Sequence, residues 1–200
     1  MFMDRTKIKL PKNSFIKYWF INPKICDNLI KTFNKVPINL KSEGQYWNTK
    51  EGKLSVNIGV KESLDYCFYI NKGLEPFYSY EKELQKCLED YIKTYPALNN
   101  LPRYNIEESK INIQYYKPNQ GFKTWHCERG DYSSLKRFLV FMTYLNDVPD
   151  GGTFFKYFNL KVPAKKGLTI IWPSDWTHTH KGEISKTKEK YITTGWYSLV

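Results

Sequence analysis

Apolar positions recur at helical spacing in two segments of the first half of the chain. Asn22-Pro23 reads as a helix start with proline in the first turn, and Ile25, Leu29, Ile30 and Phe33 follow at helical spacing as far as Pro37. A second stripe, Tyr80, Leu84, Cys87, Leu88, Tyr91, Ile92 and Tyr95, predicts a helix capped by Ser79 and closed by Pro96. Both stripes read as faces that pack on a core. Between them, Lys53 to Val60 and Asp65 to Ile70 alternate or run apolar at strand length, while Gly44 to Gly52 is loop-like in composition.

From Ser109 onward the period changes. Short strand-like runs follow at intervals of ten or so residues: Lys110 to Tyr116, Arg137 to Leu145, Thr153 to Phe158, Gly167 to Trp172 and Lys190 to Leu199. Turn chemistry separates them at Lys117 to Gly121, Asp147 to Gly152 and Pro163 to Gly167. Short strands with regular turns predict a β-sandwich or barrel, here with two helices packed outside it.

Composition narrows this further. Two hundred residues with 41% hydrophobic and 17% aromatic content suffice for one compact domain and its core. The four cysteines, Cys26, Cys67, Cys87 and Cys127, form no Cys-x-x-Cys pair, so neither a zinc knuckle nor a disulfide scaffold is indicated. The first residues, Met1 to Lys7, carry no signal-peptide core, and no stretch approaches the roughly 18 apolar residues that span a bilayer. A cytoplasmic chain with reduced thiols and no membrane association is the expectation.

The formal net charge of +11 admits nucleic acid as a partner. It does not favour one: only four of the 31 basic residues are arginines (Arg5, Arg103, Arg129 and Arg137), and the lysines are scattered.

All three histidines lie between Trp125 and Trp196: His126 in Trp-His-Cys-Glu, then His178 and His180 in Thr-His-Thr-His. On an extended chain His126 and Glu128 face the same way, so an imidazole and a carboxylate can close on one ion. A third ligand from a distant strand would complete a facial triad of the kind that holds iron(II) with open positions. Either His178 or His180 can supply it, since each has a lysine ten residues later, and the spacing does not choose between them. Asp131 is a fallback carboxylate.

Five blocks in order then carry a resemblance. They are Tyr115 to Phe122, Arg137 to Asp147, Asp150 to Phe155 (Asp-Gly-Gly-Thr-Phe-Phe), Pro163 to Pro173, and Lys190 to Tyr197. Gln114 to Trp196 resembles the prolyl 4-hydroxylase-like branch of the iron(II)/2-oxoglutarate-dependent dioxygenases. The resemblance implies an α+β, mainly β fold whose core is a double-stranded β-helix (jelly roll, cupin-like) with N-terminal helices outside. Residues 1–108 would support or cover the cleft and 109–200 would form the catalytic β-core of a single domain.

The same resemblance implies the roles. His126, Glu128 and His180 would be the metal ligands, with His178 as runner-up, because the family's basic residue stands six positions before a strand tryptophan and nine or ten after the distal histidine, as Lys190 does relative to Trp196 and His180. Lys190 would bind the far carboxylate of 2-oxoglutarate, helped by Tyr144 and Tyr116, although Tyr144 also reads as a core tyrosine. Trp196 and Trp125 would wall the cavity, and Arg137 would line a substrate path or pair with a carboxylate. The chain departs from the family at Glu128, where the usual carboxylate is aspartate.

The implied reaction is hydroxylation of a carbon, in the first place of a peptidyl proline, with succinate and carbon dioxide as co-products and ascorbate as reductant. A peptide or protein is the expected substrate, and the oligomeric state is left open. Two alternatives stand beside it: the same chemistry on nucleic acid or a free amino acid, and a non-catalytic β-barrel binding protein.

Overall fold

The computed structural model describes residues 8–48, 50–70, 73–101 and 103–200, so the segment Met1 to Lys7 lies outside the described residues. The principal strands are β1 (Lys17–Phe20), β2 (Leu64–Tyr69), β3 (Lys110–Tyr116), β4 (Arg137–Tyr144), β5 (Val148–Phe155), β6 (Leu160–Ala164), β7 (Leu168–Pro173), β8 (His180–Gly182) and β9 (Lys190–Leu199). The helices are α1 (Pro23–Lys35) and α2 (Phe77–Thr94).

An antiparallel sheet runs in the order β1, β7, β4, β9, β3, β2 and then the short strand Ser42–Glu43, with Tyr104–Ile106 also pairing with β9. A second sheet has β5 at its centre, between β6 and β8.

Period-two alternation on the large sheet divides the molecule into two cores. On β4, Leu139 and Phe141 face the helices and pack with Cys26, Leu29, Phe33, Tyr80, Leu84 and Tyr91. Val140, Met142 and Tyr144 face the other way, onto Val148, Phe155 and Val162 of the small sheet. Two antiparallel sheets closed over this second core form a double-stranded β-helix, or jelly roll, with α1 and α2 on its outer face.

A polar seam ties α2 to the sheet. The buried Tyr80 hydroxyl bonds Thr143 at 2.9 Å and also bonds Thr193, and Thr143 in turn bonds Thr169 at 2.7 Å.

Helix α1 starts as its sequence predicts: the Asn22 side chain accepts from the Lys24 amide at 3.0 Å. Helix α2 starts three residues earlier than expected. Ser79 lies inside it and donates to Glu75 Oε1 at 2.7 Å rather than capping the end.

Three more expectations are corrected. Asp147 to Gly152 is mostly strand, since β5 begins at Val148. Gly44 to Gly52 contains the strand Tyr46–Asn48, which forms a hairpin with Lys53–Ser55, so the predicted strand Lys53 to Val60 ends at Ser55. β6 was not expected, because Asn159 and Pro163 resemble turn residues.

Two glycines explain how the sheets close. A Cβ on Gly152 would lie 2.3 Å from the Val162 carbonyl oxygen, so β5 and β6 approach only because that position has no side chain. Gly167, at φ +81°, donates to the Tyr144 carbonyl and accepts from the Ile21 amide, and a Cβ there would meet Ile21 O at 2.8 Å. Gly167→Ala is therefore expected to lower unfolding stability by about 1–3 kcal/mol, measured as a shifted urea midpoint with unchanged slope.

No helix among the described residues is long and apolar enough to cross a membrane.

Candidate metal centre and co-substrate pocket

The same alternation that builds the inner core points a set of polar side chains into a cavity of about 810 Å³ between the sheets. Gln114 and Tyr116 enter it from β3, Tyr144 from β4, Thr153 from β5, and Lys190, Thr194 and Trp196 from β9. His126, Glu128 and His180 stand on its wall, and Tyr46, Trp47 and Leu54 of the hairpin close another side.

His126 is not on a regular strand. It meets His180 in an isolated antiparallel bridge: the His126 amide donates to the His180 carbonyl at 3.0 Å, and the His180 amide donates to the His126 carbonyl at 2.8 Å. The Glu128 amide is held by Ser174 O at 3.1 Å. One ligand atom from each of the three side chains then falls within 4.8 Å of the other two.

Hydrogen bonds orient both rings. His126 Nδ1 donates to Thr124 O at 3.0 Å and His180 Nδ1 donates to His178 O at 2.9 Å, which assigns the proton to Nδ1 in each. The two Nε2 lone pairs converge on Glu128 Oε1, at 3.5 and 3.4 Å. Burial raises the Glu128 carboxyl, but without a metal a proton on either Nε2 outweighs it, since hydrogen bonds and charge from the protonated imidazoles hold the group well below the usual carboxylate range. A bound cation would take that proton's place. Burial and the His180 neighbour lower His126. Three electron-pair donors aimed at one point suit a cation, and two nitrogens with one oxygen suit a divalent transition metal. Phe122 stacks on the His126 ring at 3.6 Å, and Trp172 and Phe155 enclose His180.

His178 sits apart from this cluster. Its Nε2 bonds Ser14 O at 2.7 Å and its Nδ1 bonds Thr177 Oγ1 at 3.0 Å, so both ring nitrogens are engaged in joining the N-terminal segment to the sheet. Asp131 is also elsewhere, capping the short helix Tyr132–Ser134.

Lys190 is 5% exposed. Its ammonium donates to Gly151 O at 3.1 Å and Glu183 O at 2.9 Å, and it lies 5.1 Å from the ring centre of Tyr116, its cross-strand partner. Among the described residues no carboxylate comes within ion-pair distance of it, and burial lowers its pKa to about 8 despite the pull of Glu183 and Asp150. A buried cation bonded only to carbonyls has capacity for an anion. Tyr144 bonds Thr153 Oγ1 at 2.6 Å and Tyr116 donates to Gln114 Oε1 at 2.6 Å, so both hydroxyls stand in polar pairs on the cavity wall.

The alternatives for Arg137 turn out not to exclude each other. Its Nε bonds both Glu107 oxygens at 3.1 and 3.2 Å, and its guanidinium lies 3.7 Å from the ring centre of Trp196, in the cavity wall. Trp196 Nε1 donates to Glu128 Oε2 at 2.9 Å, fixing the oxygen that faces away from the histidines. Trp125 stands at the rim, 41% exposed.

Sequence reasoning missed the buried pair Lys61 and Asp65, 2.7 Å apart, which Ser63 and Asn112 also bond at the cavity edge. Alternation carried across from Lys110 to Tyr116 would have placed Asn112 and Gln114 there, but nothing local marks Asp65.

Trp196→Phe keeps the ring and removes the N–H. Affinity for iron(II) or cobalt(II) is expected to fall about tenfold, as is usual when a ligand loses its outer partner, in an anaerobic metal titration.

Residues 111–198 match the family model described as the 2OG-Fe(II) oxygenase superfamily. No curated protein matches the chain in sequence. Among solved structures, the viral collagen prolyl hydroxylase of Paramecium Bursaria Chlorella virus-1, in its 2OG complex, aligns at a TM-score of 0.67 and 20% identity over 94% of this chain and 98% of that one. A Pseudomonas putida prolyl-4-hydroxylase aligns at 0.67 and 13% identity, covering 94% of each. A Trichoplax adhaerens prolyl hydroxylase, in complex with a hypoxia inducible factor oxygen degradation domain peptide fragment, aligns at 0.66 and 17% identity over 93% and 84%. These likenesses show that the fold is shared.

Proposed function

We propose, on the premise that residues 111–198 belong to the 2OG-Fe(II) oxygenase superfamily, that this chain hydroxylates a carbon of a prolyl residue in a peptide or protein. One observation carries the reading: a single cavity holds a His-Glu-His cluster and a buried lysine that has no carboxylate partner among the described residues. His126, Glu128 and His180 would hold iron(II), and Lys190, Tyr144 and Tyr116 would receive the far carboxylate of 2-oxoglutarate. When bound, the two would supply the oxidising chemistry in which one atom of molecular oxygen goes onto the substrate carbon and the other into the succinate formed, with carbon dioxide, from 2-oxoglutarate. Ascorbate would be the reductant that returns over-oxidised iron to iron(II).

The residues of the chain do the positioning. The Nδ1 bonds to Thr124 O and His178 O keep both Nε2 lone pairs directed at the metal position. Trp196 keeps Glu128 from rotating away. The Lys190 ammonium stays charged at neutral pH and would draw a dicarboxylate into a site lined by the apolar side chains of Ile192, Met142 and Trp172. Helices α1 and α2 brace the large sheet and the Tyr46–Asn48 and Lys53–Ser55 strands roof the cavity, in keeping with a first part that supports or covers the cleft and a second, from residue 109, that would carry the chemical groups. The prolyl target rests on the likeness to prolyl hydroxylases and on an aromatic cavity wall.

The test is succinate formation from 2-oxoglutarate with iron(II), with and without a proline-rich peptide, and mass analysis of that peptide. Peptide-stimulated turnover with oxygen on proline is expected. Stimulation by an oligonucleotide or a free amino acid instead would move the target and leave the chemistry in place.

A further inference from the structure

Outside the cavity, a strip of aromatic rings and lysines starts at its mouth and runs over the small sheet. Trp176 is 65% exposed and Tyr157 58%, and their rings meet edge to face at 6.0 Å. Lys156 Nζ lies 5.6 Å from the Tyr157 ring centre and 5.9 Å from that of Trp125, and Lys181 Nζ lies 4.7 Å from Trp125. The contacts are continuous from Trp176 to Lys181. Burying none of these rings leaves apolar area in water, and contiguous exposed apolar surface rimmed by polar groups marks a contact site.

Its place in the chain links it to the metal ligands. Trp125 precedes His126, Lys181 follows His180 on β8, and Lys156 follows Phe155, the cross-strand partner of His180. Alternation turns His180 inward and its neighbour outward. Trp125 belongs both to the cavity wall and to the strip, so a chain leaving the cavity by that rim would pass onto the strip.

Charge selects the occupant. Nearby Lys161 is paired with Glu183 at 2.7 Å and Arg129 with Asp175 at 3.4 Å. Among the described residues neither Lys156 nor Lys181 has a carboxylate within 4.0 Å. Two uncompensated ammonium groups between aromatic faces suit an extended peptide carrying carboxylates, whose proline or aliphatic residues lie on the rings. Rings that meet at 83° do not form the parallel ladder on which successive bases stack.

We propose that Trp176, Tyr157, Lys156, Trp125 and Lys181 dock an acidic segment next to the target residue of the peptide substrate. This rests on the peptide-oxidising function proposed above.

The test uses the full chain with iron(II) and 2-oxoglutarate, without oxygen, and fluorescein-labelled twelve-residue peptides with one central proline. The residues on one side of the proline are four aspartates, four asparagines or four lysines. Anisotropy is expected to give about tenfold tighter binding of the aspartate peptide than the asparagine peptide at low salt, with the ratio shrinking as salt rises. In K156E/K181E the order should invert in favour of the lysine peptide, an outcome that a misfolded protein cannot produce. Equal affinities across the series, or an order unchanged in K156E/K181E, would overturn the strip.

Admitting oxygen separates this from the function it rests on. Proline oxidised equally whatever the flank removes the strip and keeps the function. Strip-dependent binding with no oxidation of proline keeps the strip and removes the prolyl target. An oligothymidylate that displaces the aspartate peptide at lower concentration, and loses this ability in K156E/K181E, overturns the peptide as occupant.

Discussion

Replacing Lys190 with methionine is expected to abolish measurable 2-oxoglutarate binding and, at the same time, to stabilise the chain in the absence of co-substrate. The first effect follows from the missing counter-charge: a carboxylate entering the closed end of the cavity would find only carbonyls and hydroxyls. Loss of one partner of a buried charge pair costs about 2–5 kcal/mol, or from thirtyfold to several thousandfold in affinity.

The second effect follows from the depressed pKa. Burial brings the Lys190 ammonium from 10.5 to about 8, so the fold disfavours its charged form. Between about pH 8 and 10.5 the unfolded chain binds a proton there that the folded chain does not, and stability from this group rises with pH across that window. At pH 7 the penalty is fully present, with an upper bound of roughly 3 kcal/mol. Lys190→Met removes it and leaves the Gly151 and Glu183 carbonyls without their donor. Subtracting the cost of the unsatisfied carbonyls from that upper bound leaves an expected net gain of about 1 kcal/mol.

The wild-type chain should also lose affinity for 2-oxoglutarate above pH 8, approaching tenfold per pH unit, while the variant shows no such dependence. Calorimetry with and without iron(II), paired with denaturant titration across pH 6 to 10, reads both effects. A variant that binds 2-oxoglutarate as well as the wild type would show that the anion sits elsewhere.

Lys110 to Tyr116 and Lys190 to Leu199 were legible at their observed bounds because each alternates between a helix-packed face and a cavity face along its whole length. β5 was hidden by Asp150-Gly151-Gly152, which locally has the composition of a turn. The reason for glycine there is the carbonyl of Val162 on the next strand, a contact that no window of sequence contains.

The histidines show the same limit. Spacing could not separate His178 from His180, since each precedes a lysine by ten residues. In the fold they differ by an interaction across 164 residues, in which the Ser14 carbonyl occupies His178 Nε2 and leaves His180 Nε2 facing Glu128. Family resemblance chose His180 through Lys190 and Trp196, and the backbone bridge from His126 to His180 supplies the physical reason for the pairing. The link from Trp196 to Glu128 was not legible, because it depends on a glutamate side chain reaching one methylene further than the aspartate usual in the family.

That extra methylene leads to the second large effect. Glu128→Ala is expected to weaken iron(II) or cobalt(II) binding by at least about a hundredfold, beyond the 10–100-fold typical of losing an outer partner, because it removes the only carboxylate of the cluster. Glu128→Asp restores the family's residue and is nevertheless expected to bind metal less tightly than the wild type. The backbone at position 128 is pinned from both sides, its amide by Ser174 O at 3.1 Å and its carbonyl by Arg137 at 3.3 Å, so it cannot advance to compensate for a shorter arm. Shortening withdraws Oε1 from both imidazoles and Oε2 from the Trp196 indole together.

A double-mutant cycle isolates the second loss. In the wild-type background Trp196→Phe costs about tenfold, but in the Glu128→Asp background the indole has no carboxylate to hold, and the same change is expected to cost less than about twofold. Cobalt(II) is a suitable probe, because its visible absorption reports coordination without turnover. Equal costs of Trp196→Phe in the two backgrounds would mean that the indole acts on the cavity wall alone. A Glu128→Asp variant that binds cobalt(II) more tightly than the wild type would mean that the backbone can advance and that glutamate at this position serves something other than metal affinity.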